Sequence, residues 1–80
     1  MRDIRINPST ITGRINTTAL ELLESYPEGL RWSELLLKIK ESDSTFHPKT
    51  VNGCIWKLTE RFPDKVYKSS EGVFRSIKFK

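Results

Sequence analysis

Between Pro48 and Phe62, four apolar residues recur at a spacing that suits one kind of element. Val51, Ile55, Leu58 and Phe62 stand at i, i+4, i+7 and i+11, which is a single face of an α-helix over three turns. Pro48 fits the first turn of such a helix, where its missing N–H would be unpaired anyway. Pro63-Asp64 ends the run. The pattern predicts a helix over 48–62 with one buried side. Gly53 in its interior costs about 1 kcal/mol relative to alanine. That points to a close approach there, either by another helix or by a phosphate backbone.

The other elements are written more briefly. Thr18 followed three residues later by Glu21 is a capping-box pattern, and Ala19, Leu20, Leu22, Leu23 and Tyr26 then form a broad apolar face. Pro27-Glu28-Gly29 stops that helix. Leu30-Arg31-Trp32 alternates apolar and polar residues and reads as a brief strand. Ser33 is placed to cap a second helix over about Glu34 to Glu41, with Trp32, Leu35, Leu36 and Ile39 on one buried stripe and Leu37 off it. Ser42-Asp43-Ser44-Thr45 is a polar loop. Two β-rich runs, Val66-Tyr67-Lys68 and Val73 to Phe79, flank a turn in which Gly72 can take a positive φ. Val73, Ile77 and Phe79 fall on one side of the second run and Phe74 on the other, which calls for a bulge or for burial on both sides.

Eighty residues supply one modest core and no second one. The composition, 36% hydrophobic and 30% charged, is that of a globular domain. The longest apolar run, Leu35-Leu36-Leu37, is far short of the roughly 18 residues of a spanning helix. The first residues lack the apolar segment of a signal peptide, and one cysteine, Cys54, excludes an internal disulfide. A cytoplasmic or nuclear location is the expectation, as is a place within a longer protein, since the chain ends directly after a strand. The net charge of +4 is unevenly spread. Residues 1–16 carry +2, residues 17–42 carry −2 and residues 43–80 carry +4. A mixed solvated surface accounts for this, and so does a polyanion-binding face if the cations share a side. Residues 1–16, broken by Asn7-Pro8 and Gly13, read as a basic arm with a short strand at Ile4–Ile6. In that arm Arg2, Arg5 and Arg14 are candidates for minor-groove contact. Residues 17–80 read as the domain.

Helix, short strand, helix, helix, hairpin is the order that results. Leu30-Arg31-Trp32-Ser33-Glu34-Leu35 resembles the first strand of a winged helix-turn-helix domain running into its second helix. His47-Pro48-Lys49-Thr50-Val51 resembles the start of a recognition helix, and Val66-Tyr67-Lys68 to Phe74-Arg75 resembles a wing. The likeness covers residues 17–80, and it extends to the small winged-helix modules found beside restriction nucleases and chromatin enzymes. It implies an α+β fold of three helices, a C-terminal β-hairpin wing and a short strand before the second helix. It also implies double-stranded DNA binding, with helix 48–62 in the major groove and wing 66–79 on the flanking backbone.

Subtracting the buried stripe leaves Lys49, Thr50, Asn52, Gly53, Trp56 and Lys57 on the outward side of that helix. Asn can pair with adenine, Thr can touch a thymine methyl, and Lys can reach guanine or phosphate. Trp56 either makes an external contact or packs under the wing or arm. On the wing, Lys68, Ser69, Ser70 and Arg75 suit phosphate contact. The DNA reading requires Lys49, Lys57, Lys68 and Arg75 to share one face. Each of these also fits an ordinary solvated surface, and a protein-docking module is the alternative, with 17–42 as an acidic face. No cofactor, metal or membrane partner is expected. His47 and Cys54 lie about 10 Å apart along a helix axis, too far to ligate one metal, and read as a cap and a small filler. No enzymatic role is expected.

Overall fold

Thr10 starts the first helix, eight residues before the expected cap. The computed structural model describes residues 10–80, so the expected strand at Ile4–Ile6, with Arg2 and Arg5, lies outside the described residues. Thr10 Oγ1 accepts from the Gly13 N–H at 2.9 Å, and helix α1 runs over Ile11–Ser25. Thr18 instead bonds back to the Arg14 carbonyl at 2.9 Å within the helix. The four-residue spacing Ile15, Ala19, Leu23, all buried, drives the extension, because it prolongs the apolar face backwards across Gly13. The expected boundary after residue 16 therefore falls inside α1. Arg14 belongs to this helix, ion-paired to Asp43 at 2.7 Å with its guanidinium 5.3 Å from the Phe46 ring centre.

Strand β1 spans Leu30–Arg31 and passes directly into helix α2, Trp32–Ser42. Ser33 is not its cap. The N-cap is Arg31, the last residue of the strand: its N–H donates to the Glu34 carboxylate at 3.2 Å, and the Trp32 N–H donates to the Gly72 carbonyl at 2.8 Å. Leu35 and Ile39 are buried as expected, whereas Trp32 is 39% exposed and Leu37 is 60% exposed.

The expected helix 48–62 is jointed. Helix α3 covers Pro48–Trp56 and helix α4 covers Leu58–Arg61, with Lys57 between them at φ −93°, ψ −2°. Hydrogen bonding continues across the joint, from Lys57 N–H to Gly53 O at 3.2 Å and from Arg61 N–H to Lys57 O at 2.9 Å. Val51, Ile55, Leu58 and Phe62 are all fully buried. Their spacing is met by a continuous or a jointed helix alike, which is why it did not disclose the joint.

Strands β2, Val66–Ser70, and β3, Val73–Ser76, complete a three-stranded antiparallel sheet of order β1-β3-β2. Its central row pairs Leu30 with Phe74 and Phe74 with Lys68. A bulge between Lys68 and Ser70 shifts the register. Of the two sides of β3, the one with Phe74 is inward: Phe74 and Ser76 are buried, while Val73 and Ile77 are only partly covered. As the middle strand, β3 must turn its one large ring to the helices. It also ends early, because Ile77–Phe79 form a 3₁₀ turn with Ser76 Oγ accepting from the Lys78 N–H at 3.3 Å. The result is an α+β, winged-helix-like arrangement. Leu30, Phe74 and Val66 close the open side of a helical core that includes Ile15, Leu35, Ile39 and Ile55.

Two substitutions test this frame. Gly29 adopts φ +86°, and a Cβ there would stand 2.6 Å from the Phe74 carbonyl oxygen. Gly29→Ala should therefore lower stability by at least about 2 kcal/mol, read as a fall in melting temperature with α3 sequence unchanged. Asp43 accepts from the Thr45 hydroxyl at 2.5 Å and the Thr45 N–H at 3.0 Å. Those two bonds, followed by the Arg14 guanidinium, hold its carboxyl below the usual range. A carboxylate depressed on folding stabilises fully above its unfolded value, about 3.9, and loses that contribution as pH falls through the folded value. The melting-temperature gap between the native chain and Asp43→Asn should thus be present at neutral pH and close below about pH 4.

Candidate nucleic-acid interface

Helix α3 begins on His47, whose Nδ1 accepts from the Lys49 N–H at 3.2 Å, with Pro48 in the first turn. This cap fixes the helix phase, and burial of Val51 and Ile55 fixes which side turns out. At about 100° per residue, Gly53 points directly away from the mean direction of those two core residues. Lys49 and Lys57 lie one turn to either side of it, about 12 Å apart along the axis. Lys49, Thr50, Gly53, Trp56 and Lys57 are all exposed, and Asn52 is half-buried. Apart from its chain neighbours and the helix's own backbone, no atom among the described residues lies within 4 Å of where a Gly53 Cβ would stand. Among the described residues, no other helix makes the close approach expected at Gly53.

Trp56 is 40% exposed and held on three sides. Its Nε1–H donates to Asn52 Oδ1 at 3.1 Å, its ring meets Phe74 edge-on at 5.6 Å, and the Lys68 ammonium lies 5.0 Å from its centre. It thus packs against the wing while keeping an open surface. Because an indole N–H only donates, the Asn52 oxygen must be the group that faces it. The Asn52 NH₂ is left to reach outward.

The wing divides. Lys68, Ser69 and Ser70 are exposed, and Lys68 lies on the α3 side of the sheet through its contact with Trp56. Arg75 lies on the opposite side with Tyr67. Its Nε donates to the Pro27 carbonyl at 2.6 Å and its NH1 to the Tyr67 hydroxyl at 3.1 Å. It fastens the sheet to the α1–β1 turn, so the shared face of Lys49, Lys57, Lys68 and Arg75 that the DNA reading required is not formed; Lys49, Lys57 and Lys68 remain exposed. An arginine paired by spacing alone could not reveal this, because the acceptor is a backbone carbonyl 48 residues away.

Trp32 was missed. Its helical spacing with Leu35 assigned it to the core, yet it sits at the first position of α2 with its ring 6.1 Å from that of Trp56.

Cys54 packs partly against the core, and burial raises its thiol above the ordinary value. Among the described residues, no group of three or more His, Cys, Asp or Glu could hold a metal ion, and no helix is long and apolar enough to cross a membrane. In comparisons with known proteins, no family model, curated protein or solved structure matches the chain.

Arg75→Ala should lower stability by about 1 kcal/mol through loss of its two hydrogen bonds. If the domain binds duplex DNA, Arg75→Ala should leave that affinity close to native, whereas Lys68→Ala should lower it. Paired melting and DNA-binding isotherms separate the two.

Proposed function

We propose that this domain binds double-stranded DNA through the outward face of α3, with the wing beside Lys68 on the flanking backbone. The observation that carries the reading is Gly53. An exposed glycine in mid-helix costs stability, and among the described residues no packing, turn or positive φ accounts for it. What it provides is a flat strip at the centre of the face, bracketed by two lysines, against which a phosphate backbone or groove wall can lie closely. The side chains of Lys49 and Lys57 are neither hydrogen-bonded nor ion-paired among the described residues, and that leaves both charges available to phosphate. Thr50 and the Asn52 NH₂ are positioned as base-edge contacts near the helix start, the end that helix-turn-helix proteins direct toward the bases.

The resemblance of the element order to winged helix-turn-helix domains supports the same mode. A role in transcription regulation, beside the chromosome in the cytoplasm or nucleus, is the setting in which such a domain would act.

Binding to a blunt duplex should weaken log-linearly with salt, with a slope of about −3 from Lys49, Lys57 and Lys68. Gly53→Leu should leave stability equal or higher and reduce duplex affinity at least about tenfold. Unchanged affinity in a folded Gly53→Leu variant, or binding indifferent to salt, would remove the basis for this reading and favour the protein-docking alternative.

A further inference from the structure

The two tryptophans of the chain come from different helices and meet at the surface. Trp32 opens α2 and Trp56 closes α3. Their ring centres are 6.1 Å apart with planes inclined at 38°, and the two residues are each about two-fifths exposed, 39% and 40%. The pair is built in rather than loosely placed. The Trp32 N–H is bonded to Gly72 O, Trp56 is bonded to Asn52, and a Cβ at Gly72 would stand 3.3 Å from Trp32 Cδ1. Gly72 therefore keeps the wing turn close against the indole. Beside the rings is a cleft of about 210 Å³ lined by Arg31, Ser33 and Glu71 with the tryptophans and Gly72. That is smaller than the roughly 300–1,000 Å³ of ordinary small-molecule pockets.

Exposed aromatic faces interleaved with cations form the chemistry that holds unstacked bases. Lys68 lies over Trp56 and Arg31 borders the cleft, so phosphate partners flank the rings. Glu71, the one carboxylate in the lining, repels phosphate from the cleft itself and can accept from the amino group of a base. A base within a duplex has both faces covered by its neighbours and offers nothing for an indole to stack on. The shelf therefore suits a base that has left the stack.

We infer that the Trp32–Trp56 shelf receives an unpaired base from a single-stranded segment adjoining the duplex on α3. The preferred substrate is then a duplex end, junction or overhang rather than a continuous helix. This rests on the duplex-binding reading in that both sites share α3, Trp56 being one turn from Asn52.

Both tryptophans lie in the shelf, so intrinsic fluorescence reports its occupancy directly. The test compares a blunt duplex, the same duplex with a short single-stranded extension at either end, and the extension strand alone. A single-stranded extension should tighten binding about tenfold and quench the emission, while the blunt duplex binds without quenching. Trp32→Leu should abolish the advantage of the extension and leave blunt-duplex affinity unchanged, with Trp32→Phe, which keeps a stacking face, restoring most of it. If the leucine variant does not fold, the phenylalanine variant and the native titrations decide.

Blunt-duplex binding with no gain and no quenching from an extension overturns the inference and leaves duplex binding intact. Equal quenching by blunt and extended duplexes also overturns it. Binding and quenching by the single strand as strong as by the extended duplex, with no binding of the blunt duplex, overturns the duplex reading and with it the preference for a junction. Failure to bind any of the three overturns both, and the shelf is then a site for a protein partner.

Discussion

A strand of two residues holds the domain together. Leu30 and Arg31 pair with β3, and around that pairing the connection from α1 to α2 is tied to the sheet. Gly29 lies so close to the Phe74 carbonyl that no side chain fits between them. Trp32 bonds to the wing turn, and Arg75 reaches back to Pro27. Phe74 stands in the middle of this row, fully buried, and full burial of such a ring contributes about 1.5–3 kcal/mol. Without β1, the hairpin would be a two-stranded ribbon, which is marginal in water on its own.

The same pairing sets the geometry of the surface. With β3 held at the centre, the row Leu30–Phe74–Lys68 turns toward the helices and carries the Lys68 ammonium to Trp56. The alternate row, Tyr67 and Arg75, turns away. The cations are thereby sorted by topology. Arg14 is spent on Asp43 and Phe46, Lys40 on the Ser44 and Phe46 carbonyls, Lys38 on the Tyr26 ring, and Arg75 on the sheet. Net charge is a poor guide to the interface because about as many cations secure the fold as are left on the α3 side.

Much of this frame was legible in the chain. The stripe Val51, Ile55, Leu58, Phe62 named the buried side of the third helical segment, and Pro48 with His47 named its start. The positive φ of Gly72 and the brief strand at Leu30 were written in residue type and alternation. What was not legible depends on partners distant in sequence. Thr10 and Thr18 are equally good caps by composition, and only the packing of Ile15 against the core selects the earlier one. Trp32 has core spacing, but its neighbours are the wing turn and Trp56. Alternation left the inward side of β3 open between Phe74 and the Val73–Ile77 side, and the middle position of the strand gives it to the largest ring. Of the site, the outward face of α3 was readable by subtraction. The commitment of Arg75 and the indole pair was not, since neither leaves a local signature.

The Asn52–Trp56 bond changes what the α3 face can recognise. A bidentate pairing with adenine needs the asparagine oxygen to accept from the base amino group while the NH₂ donates to N7. Here the oxygen already accepts from an indole, which leaves it one lone pair, whereas the NH₂ keeps both of its donors. On the duplex-binding reading, Asn52 is therefore better matched to acceptor-only edges, guanine N7 and O6 or thymine O4, than to adenine. The residue best placed to read a base is thus tuned by the aromatic shelf beside it. Groove recognition and stacking would then be two uses of one rigid surface, coupled through a single side-chain hydrogen bond.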